Sequence, residues 1–355
     1  MKGDSGARPS RPRSPESAAS VPPPPARAPL LAVENLTVAL PAGGALRPAV
    51  DGVSLEVGEG ESLALVGESG SGKTQLLRAV VGLSPEGARV SGRVFLGGRD
   101  LTSLPDAAWG AVRGGEVGMV FQEPASALDP VRTIGAQLEE ALVLHGGGDR
   151  RARRATALAA LAAVSFPDPE AGLGAYPHRL SGGLRQRACL AIALAPGPRL
   201  LLADEPTASL DATVALEILE LLGRLRRERG MAVLLVTHDL AAVARHADRV
   251  TVLYAGRVVE EARPEKLARG PAHPYTLALW RSAPRLEAAA APGRRYEAIP
   301  GYLADLAARV PRGCAFAPRC AERFAPCEVR EPALYAVDGG RARCFLHEPA
   351  AGATA

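Results

Sequence analysis

Eight consecutive residues, Gly67-Glu68-Ser69-Gly70-Ser71-Gly72-Lys73-Thr74, carry the strongest chemical signal in the chain. The apolar run Ser62-Leu63-Ala64-Leu65-Val66 before them reads as a buried strand. Gln75-Leu76-Leu77-Arg78-Ala79-Val80-Val81 after them reads as the first turns of a helix. Strand, glycine-rich turn, Lys-Thr and helix are the setting that a G-x-x-x-x-G-K-[ST] phosphate loop requires. Gly67, Gly70 and Gly72 admit backbone conformations that a Cβ blocks. The N–H groups can then turn inward onto phosphate oxygens, aided by the positive end of the helix. Lys73 is placed to neutralise the outer phosphates, and the Thr74 hydroxyl to ligate Mg²⁺.

Four polar residues sit where strands end. Leu200-Leu201-Leu202-Ala203-Asp204-Glu205 is an apolar run closed by two carboxylates. Asp204 at the tip suits Mg²⁺, directly or through water, and Glu205 suits polarising an attacking water. Gln122 follows the apolar run Val117 to Phe121, and His238 follows Val233 to Thr237. Ligands of parallel sheets gather at the carboxyl ends of strands, which is where all of these fall. Leu180-Ser181-Gly182-Gly183-Leu184-Arg185-Gln186-Arg187 adds a Ser-Gly-Gly helix start that can offer N–H groups to an anion.

The order GESGSGKT, FQEP, LSGGLRQR, LLLADEPTASLD, THD resembles the ATPase subunit of an ATP-binding-cassette (ABC) transporter. The resemblance covers about residues 30–262. It implies an α/β fold of the P-loop NTPase type. A parallel-sheet core would carry an antiparallel β subdomain, a helical insertion at about 125–195 and a small C-terminal extension. It implies nucleotide binding by Gly67, Glu68, Ser69, Gly70, Ser71, Gly72, Lys73 and Thr74, and Mg²⁺ held by Thr74, Gln122 and Asp204. It implies catalytic roles for Glu205 as base, Gln122 as the Q-loop residue and His238 as the switch histidine. Ser181, Gly182 and Gly183 would meet the γ-phosphate of ATP bound to the opposite subunit, and Ser209-Leu210-Asp211 would form the D-loop. ATP would thus be sandwiched in a head-to-tail dimer with a second ABC ATPase subunit, a copy or a related chain. One departure stands out: the family's adenine-stacking aromatic is missing, since no Tyr, Phe or Trp precedes Phe95. Leu40 or Val50 is left to offer an apolar contact.

The rest of the chain bounds this reading. With 355 residues, 47% apolar and only 4% aromatic, it has material for one large and one smaller domain with aliphatic cores. A net charge of +4 lacks the concentrated basic face that nucleic acid prefers; Arg150-Arg151-Ala152-Arg153-Arg154 reads as a solvated helix start. No apolar run approaches the roughly 18 residues of a membrane span, and the N-terminus has no apolar signal core. The expectation is a peripheral protein on the cytoplasmic face of the inner membrane, attached to two separate permease subunits and served by an extracytoplasmic solute-binding protein. Residues 1–28, with four consecutive prolines, and 348–355 are expected to be disordered.

Local patterns predict short strands at Leu30 to Val33, Leu36 to Leu40 and Val53 to Val57. They also predict helices through 133–180, a βαβ unit from Leu200 to Val236, and a hairpin around Ala255-Gly256. Residues 263–347 read as a separate C-terminal appendage. His273-Pro274-Tyr275-Thr276, Ile299-Pro300-Gly301 and Gly313-Cys314-Ala315-Phe316-Ala317-Pro318-Arg319-Cys320 resemble the extension of oligopeptide and dipeptide importer ATPases. The same extension occurs in nickel importers, which leaves a nickel or other small-solute cargo open. A soluble cassette acting on ribosomes or DNA is a more distant alternative.

Four of the five cysteines lie in this tail, as C-x5-C-x6-C-x16-C from Cys314 through Cys320 and Cys327 to Cys344. Four thiolates suit zinc or an iron–sulfur cluster, and the resemblance implies [4Fe–4S]. Cys189 reads as a small buried apolar residue. The tail is expected to stand apart from the ATP chemistry.

Overall fold

The computed structural model describes residues 28–282, 299–301 and 313–349. Of the segments expected to be disordered, 1–28 and 348–355, residues 1–27 and 350–355 lie outside the described residues, while Glu348 is held by an ion pair with Arg330. Five apolar stretches form parallel strands: β3 (Ser62–Val66), β6 (Val117–Val120), β7 (Leu200–Asp204), β8 (Ala232–Val236) and β9 (Arg249–Tyr254). Every residue of β3, β7 and β8 is buried. Such unbroken apolar runs are what a sheet covered on both faces demands. The strands align β9-β3-β8-β7-β6. The crossover from β7 to β8 is the helix Ala212–Arg229, which puts Leu219, Leu222 and Leu225 into the core.

At the β9 edge the sheet turns antiparallel. β10 (Arg257–Ala262) folds back on β9 through Ala255 and Gly256, both at positive φ (50° and 85°). The tail then adds two more strands, β11 (Tyr335–Val337) and β12 (Gly340–Ala342), with β12 antiparallel to β10. The eight-stranded order is therefore β11-β12-β10-β9-β3-β8-β7-β6. The tail is thus part of the main sheet, whereas the sequence suggested an appendage. Tyr275 and Phe316 of the tail also share a core with Ala64 and Val66 of β3. Two three-residue strands joined across Asp338-Gly339 are too short to show a period of their own, so pattern alone missed them.

A second sheet, β2-β1-β4-β5, packs on one side. It contains β1 (Leu31–Ala42), β2 (Ala45–Val57), β4 (Arg89–Leu96) and β5 (Arg99–Asp100), all antiparallel. The two short strands expected at Leu30 to Leu40 are one strand with register shifts between Val33 and Val38, where Asn35 takes φ 49°. A bulge shifts the alternation, so one strand reads as two. Between β6 and β7 lie the helices Ile134–Leu144, Arg150–Ala163, Pro169–Gly174 and Gly182–Leu194. Thr133, Asp149, Asp168 and Ser181 each cap one of them by accepting a backbone N–H.

The tail hairpin gives a direct test. A Cβ on Gly340 would lie 2.0 Å from the Glu261 carbonyl oxygen and 3.1 Å from the Ala262 Cα. Gly340→Ala should therefore loosen β12 from β10. Amide exchange is expected to accelerate across 335–348 while β3 and β8 keep their protection; unchanged exchange across 335–348 would refute the docking.

Candidate nucleotide site

The phosphate loop leaves β3 and enters the helix Lys73–Val80. Its glycines are required by space as well as by torsion. Gly72 sits at φ 107°, and a Cβ there would lie 2.3 Å from the Ala49 carbonyl oxygen. At Gly67 a Cβ would lie 2.2 Å from the Leu253 carbonyl oxygen. The loop is threaded between β2 and β9, and neither backbone leaves room for a side chain. Ser71 is fully buried, while Ser69 and Gly70 are exposed to solvent.

Lys73 is buried and donates to the carbonyls of Gly67 (2.8 Å) and Glu68 (2.9 Å) and to Ser71 Oγ (3.4 Å). Burial lowers its pKa, and the charges of Glu205, Asp204 and Glu68 oppose that fall. Thr74 Oγ1 donates to Asp204 Oδ1 at 3.2 Å, across 130 positions of sequence. Burial raises the Asp204 carboxyl pKa, against the Thr74 hydrogen bond, which lowers it.

Glu205 follows β7 in a left-handed conformation, φ 44°, and its N–H donates to the Val236 carbonyl. A non-glycine residue held there is strained by about 1–3 kcal/mol, a cost typical of functional positions. The strain aims the carboxylate at two partners. Gln122 Nε2 donates to Glu205 Oε2 at 3.3 Å, and His238 Nδ1 lies 3.4 Å from the same oxygen. The His238 hydrogen bond holds the Glu205 carboxyl below the usual range, and Glu205 in turn raises the His238 pKa. Phosphate loop, Asp204, Glu205, Gln122 and His238 thus meet at the carboxyl ends of β3, β7, β6 and β8.

Ser181, Gly182 and Gly183 are placed elsewhere. Ser181 is exposed and caps the helix Gly182–Leu194 by accepting the Leu184 N–H at 3.3 Å. Gly183 packs under Val214, where a Cβ would lie 2.8 Å from its Cγ1. Leu210, in Ser209-Leu210-Asp211, lies against Gly182. Asp211 caps the helix Ala212–Arg229. Among the described residues no hydrogen bond joins Ser181, Gly182 or Gly183 to the phosphate loop. For the adenine contact, Val50 is fully buried, so of the two expected residues only the half-buried Leu40 can meet a base.

Sequence reasoning missed two neighbours of the loop. Tyr275 Oη accepts the Glu68 N–H at 2.8 Å, and Arg319 donates to both Glu68 carboxylate oxygens at 2.7 and 3.0 Å. These contacts contradict the expectation that the tail stands apart from the ATP chemistry. Both residues lay in segments noticed only for their resemblance; nothing local tells which surface a distant tyrosine or arginine will reach.

The four tail cysteines line one cavity together with Phe316, Phe324 and Phe345. All four are free thiols. Among the described residues no three His, Cys, Asp or Glu side chains converge closely enough to share an ion. Burial pushes the Cys344 thiol up to about 11 and raises Cys314 and Cys320 as well. Protonated thiols have no reason to close on one point, and thiolates repel unless a cation holds them. Cys189 is buried with its thiol pushed up to about 12, as expected of a packing residue.

A parallel sheet with a glycine-rich phosphate loop, a strand-tip carboxylate pair and a separate Ser-Gly-Gly helix start defines a P-loop nucleotide-binding protein. Residues 50–208 match the family described as ABC transporter. Residues 259–327 match the oligopeptide/dipeptide transporter C-terminal region. The oligopeptide transport ATP-binding protein AppD of Bacillus subtilis is 43% identical over 304 residues, 85% of this chain and 92% of that protein. The dipeptide transport ATP-binding protein DppD of Haemophilus influenzae is 42% identical over 303 residues, 85% and 90% of the two chains. The oligopeptide transport protein OppD of Mycobacterium tuberculosis is 47% identical over 92% of this chain and 53% of its own length. Among solved structures, a dimeric bacterial ABC transporter cassette superposes with a TM-score of 0.60 at 32% identity, covering 66% of this chain and 98% of that one. The chain belongs to the ABC transporter ATPase family, in the group that carries the oligopeptide/dipeptide C-terminal region.

The Glu205–His238 contact sets a pH window. A lowered Glu pKa contributes stability above its ordinary value of 4.5, and a raised His pKa contributes below its ordinary value of 6.5. Both contributions are complete between those values and fade on either side. His238 is largely exposed, so the difference between wild type and His238→Ala should stay below about 1 kcal/mol. Denaturant unfolding at several pH values checks this; a difference that grew above pH 7.5 would reverse the assignment.

Proposed function

We propose that this chain is the ATP-hydrolysing subunit of an ABC importer that takes up di- or oligopeptides through separate membrane permeases. The observation that carries this reading is the gathering of Thr74, Asp204, Glu205, Gln122 and His238 beside the phosphate loop. They do so in a chain whose tail matches the peptide-transporter C-terminal region. The relatives named for oligopeptide and dipeptide transport support the cargo class.

The loop N–H groups and Lys73 hold the β- and γ-phosphates, leaving Lys73 to exchange its carbonyl partners for phosphate oxygens. Thr74 Oγ1 and Asp204 Oδ1 are hard oxygens 3.2 Å apart, the donor type Mg²⁺ takes alongside phosphate oxygens and water. Bound there, the ion supplies neutralisation of charge on the transferred phosphoryl group. Glu205, kept ionised at neutral pH, accepts a proton from the attacking water. Gln122 and His238 hold its Oε2 from two sides and so fix where that water stands.

Ser181, Gly182 and Gly183 act in trans. They lie at a helix start, Ser181 exposed and the two glycines half-buried, suited to the γ-phosphate of ATP on a second ABC ATPase subunit in a head-to-tail dimer. The dimeric cassette of the same fold supports that arrangement. Among the described residues no helix is long and apolar enough to cross a membrane. Two permease subunits therefore carry the peptide path, with a solute-binding protein delivering peptide and this chain seated peripherally on the cytoplasmic face.

We assign the four-cysteine cavity to a [4Fe–4S] cluster in preference to zinc. What supports this reading is that four free thiols line one cavity with Phe316, Phe324 and Phe345, although they stand further apart than the ligands of one ion. When bound, it supplies four metal–thiolate bonds to a segment with little core of its own.

Glu205→Gln should retain ATP binding, lose on the order of 10²–10⁴ in turnover and accumulate as an ATP-bound dimer. Ser181→Arg should bind ATP as a single subunit but give no dimer. Steady-state ATPase assays on the assembled transporter and size exclusion with ATP check both; turnover within a few-fold of wild type would remove Glu205 from the role. Anaerobically purified protein should carry iron and acid-labile sulfide. Changing any one of Cys314, Cys320, Cys327 or Cys344 to Ser should lower both, and Cys189→Ser should not. One zinc per chain with no iron would replace the cluster with a zinc site.

A further inference from the structure

Glu68 is the point where the tail grips the phosphate loop. Its backbone N–H and its carboxylate are both engaged from outside the nucleotide-binding sequence. Tyr275 Oη takes the N–H, and the Arg319 guanidinium takes both carboxylate oxygens. The Arg319 side chain is only 6% exposed. It also donates from Nε to the Pro300 carbonyl at 2.7 Å and reaches the Tyr254 hydroxyl at 3.4 Å. Its planar fork is therefore held on several sides before it meets Glu68.

Tyr275 is equally fixed. It is fully buried, with ring centroids 4.6 Å from Tyr254 and 5.4 Å from Phe316. Its N–H donates to Nδ1 of the buried His273, whose own N–H donates to Glu260. The arrangement spans Glu260, His273, Tyr275, Phe316 and Arg319, and it terminates on one residue of the loop. Arg319 immediately precedes Cys320, which lines the cysteine cavity, so the guanidinium is carried on the rim of that cavity.

The charge at Glu68 gives the grip a functional sign. Its carboxylate is close enough to act on the Lys73 ammonium. Left unpaired, that negative charge would oppose the polyphosphate that Lys73 must bind, by an amount that falls only slowly with distance in a partly buried site. Arg319 cancels it.

We propose that Arg319 and Tyr275 are positioning residues of the nucleotide site, so that the tail tunes nucleotide affinity by neutralising and anchoring Glu68. The inference rests on the reading of Gly67 to Thr74 as the phosphate loop. In this arrangement a disordered tail weakens nucleotide binding while the catalytic groups around Glu205 stay in place.

The test uses the full chain with Mg-ADP for binding, and the assembled transporter for turnover. Arg319→Gln should weaken Mg-ADP about tenfold, equivalent to about 1.4 kcal/mol. It should raise KM for ATP by a similar factor with kcat changed less than about threefold. Arg319→Lys, which keeps the charge but not the fork, should fall between Arg319→Gln and wild type. Tyr275→Phe should weaken binding a few-fold. The deciding variant is the double change Glu68→Gln with Arg319→Gln. It lacks the ion pair just as the single change does, yet carries no uncompensated carboxylate, so it should recover most of the lost affinity. A merely structural role would leave the double variant as weak as Arg319→Gln, and that result would overturn the proposal. So would Arg319→Gln binding within twofold of wild type, or a fall in kcat with KM unchanged. Lys73→Ala serves as the reference for the underlying reading: if it binds Mg-ADP like wild type, the phosphate-loop assignment falls and the proposal falls with it.

Discussion

The parallel pairing of β3 between β8 and β9 is the constraint from which the site follows. Ser62 to Leu65 register with Val233 to Val236 on one side, and Leu63 to Val66 with Arg249 to Val252 on the other. Parallel neighbours end on the same edge, so every turn that leaves the sheet there faces a common space. The phosphate loop, Glu205 and His238 meet because β3, β7 and β8 stop together. The aliphatic burial that stabilises these strands is also what sets the distances between the polar groups. A register slip of one residue would turn core side chains outward and separate Thr74 from Asp204.

The polar groups at that edge balance one another's charge. Lys73 is buried among three acidic neighbours, each of which favours its charged form. Asp204 is pushed toward its neutral form by burial and drawn back by Thr74. Glu205 is kept anionic by His238. A polyanion with a divalent cation completes this set, because it brings negative charge to Lys73 and positive charge to Asp204. The strained backbone at Glu205 belongs to the same economy: β7 and β8 fix both sides of the turn, so the residue cannot relax without leaving its hydrogen bond to Val236.

Much of this was legible in the sequence, for local reasons. Gly67 to Thr74 announces itself because glycine spacing, Lys and Thr are all needed within eight residues. β7 and β8 announce themselves because a strand buried on both faces must be apolar throughout. What stayed hidden was long-range. The bulge at Asn35 split one strand into two apparent ones. Tyr275 and Arg319 reach Glu68 across 207 and 251 positions of sequence. No periodicity encodes such a distance. The cysteine spacing announced a shared site but could not say that the thiols would line a cavity short of a common centre.

The placement of β12 against β10 has a bearing on how this chain could be shortened. β10 has β9 on one side, and its other side is occupied by residues that enter the sheet some eighty positions later. A chain ending at Ala262 would leave unpaired N–H and C=O groups along a strand that is mostly buried in the full chain, the geometry that invites edge-to-edge association between molecules. Five of the six residues of β10 are buried in the full chain, among them Glu260 and Glu261. Glu260 would lose the backbone donors of Ala272 and His273, and Glu261 its Arg341 partner. The cassette of this protein is therefore not a detachable module: the segment after it serves as the selvedge of its sheet.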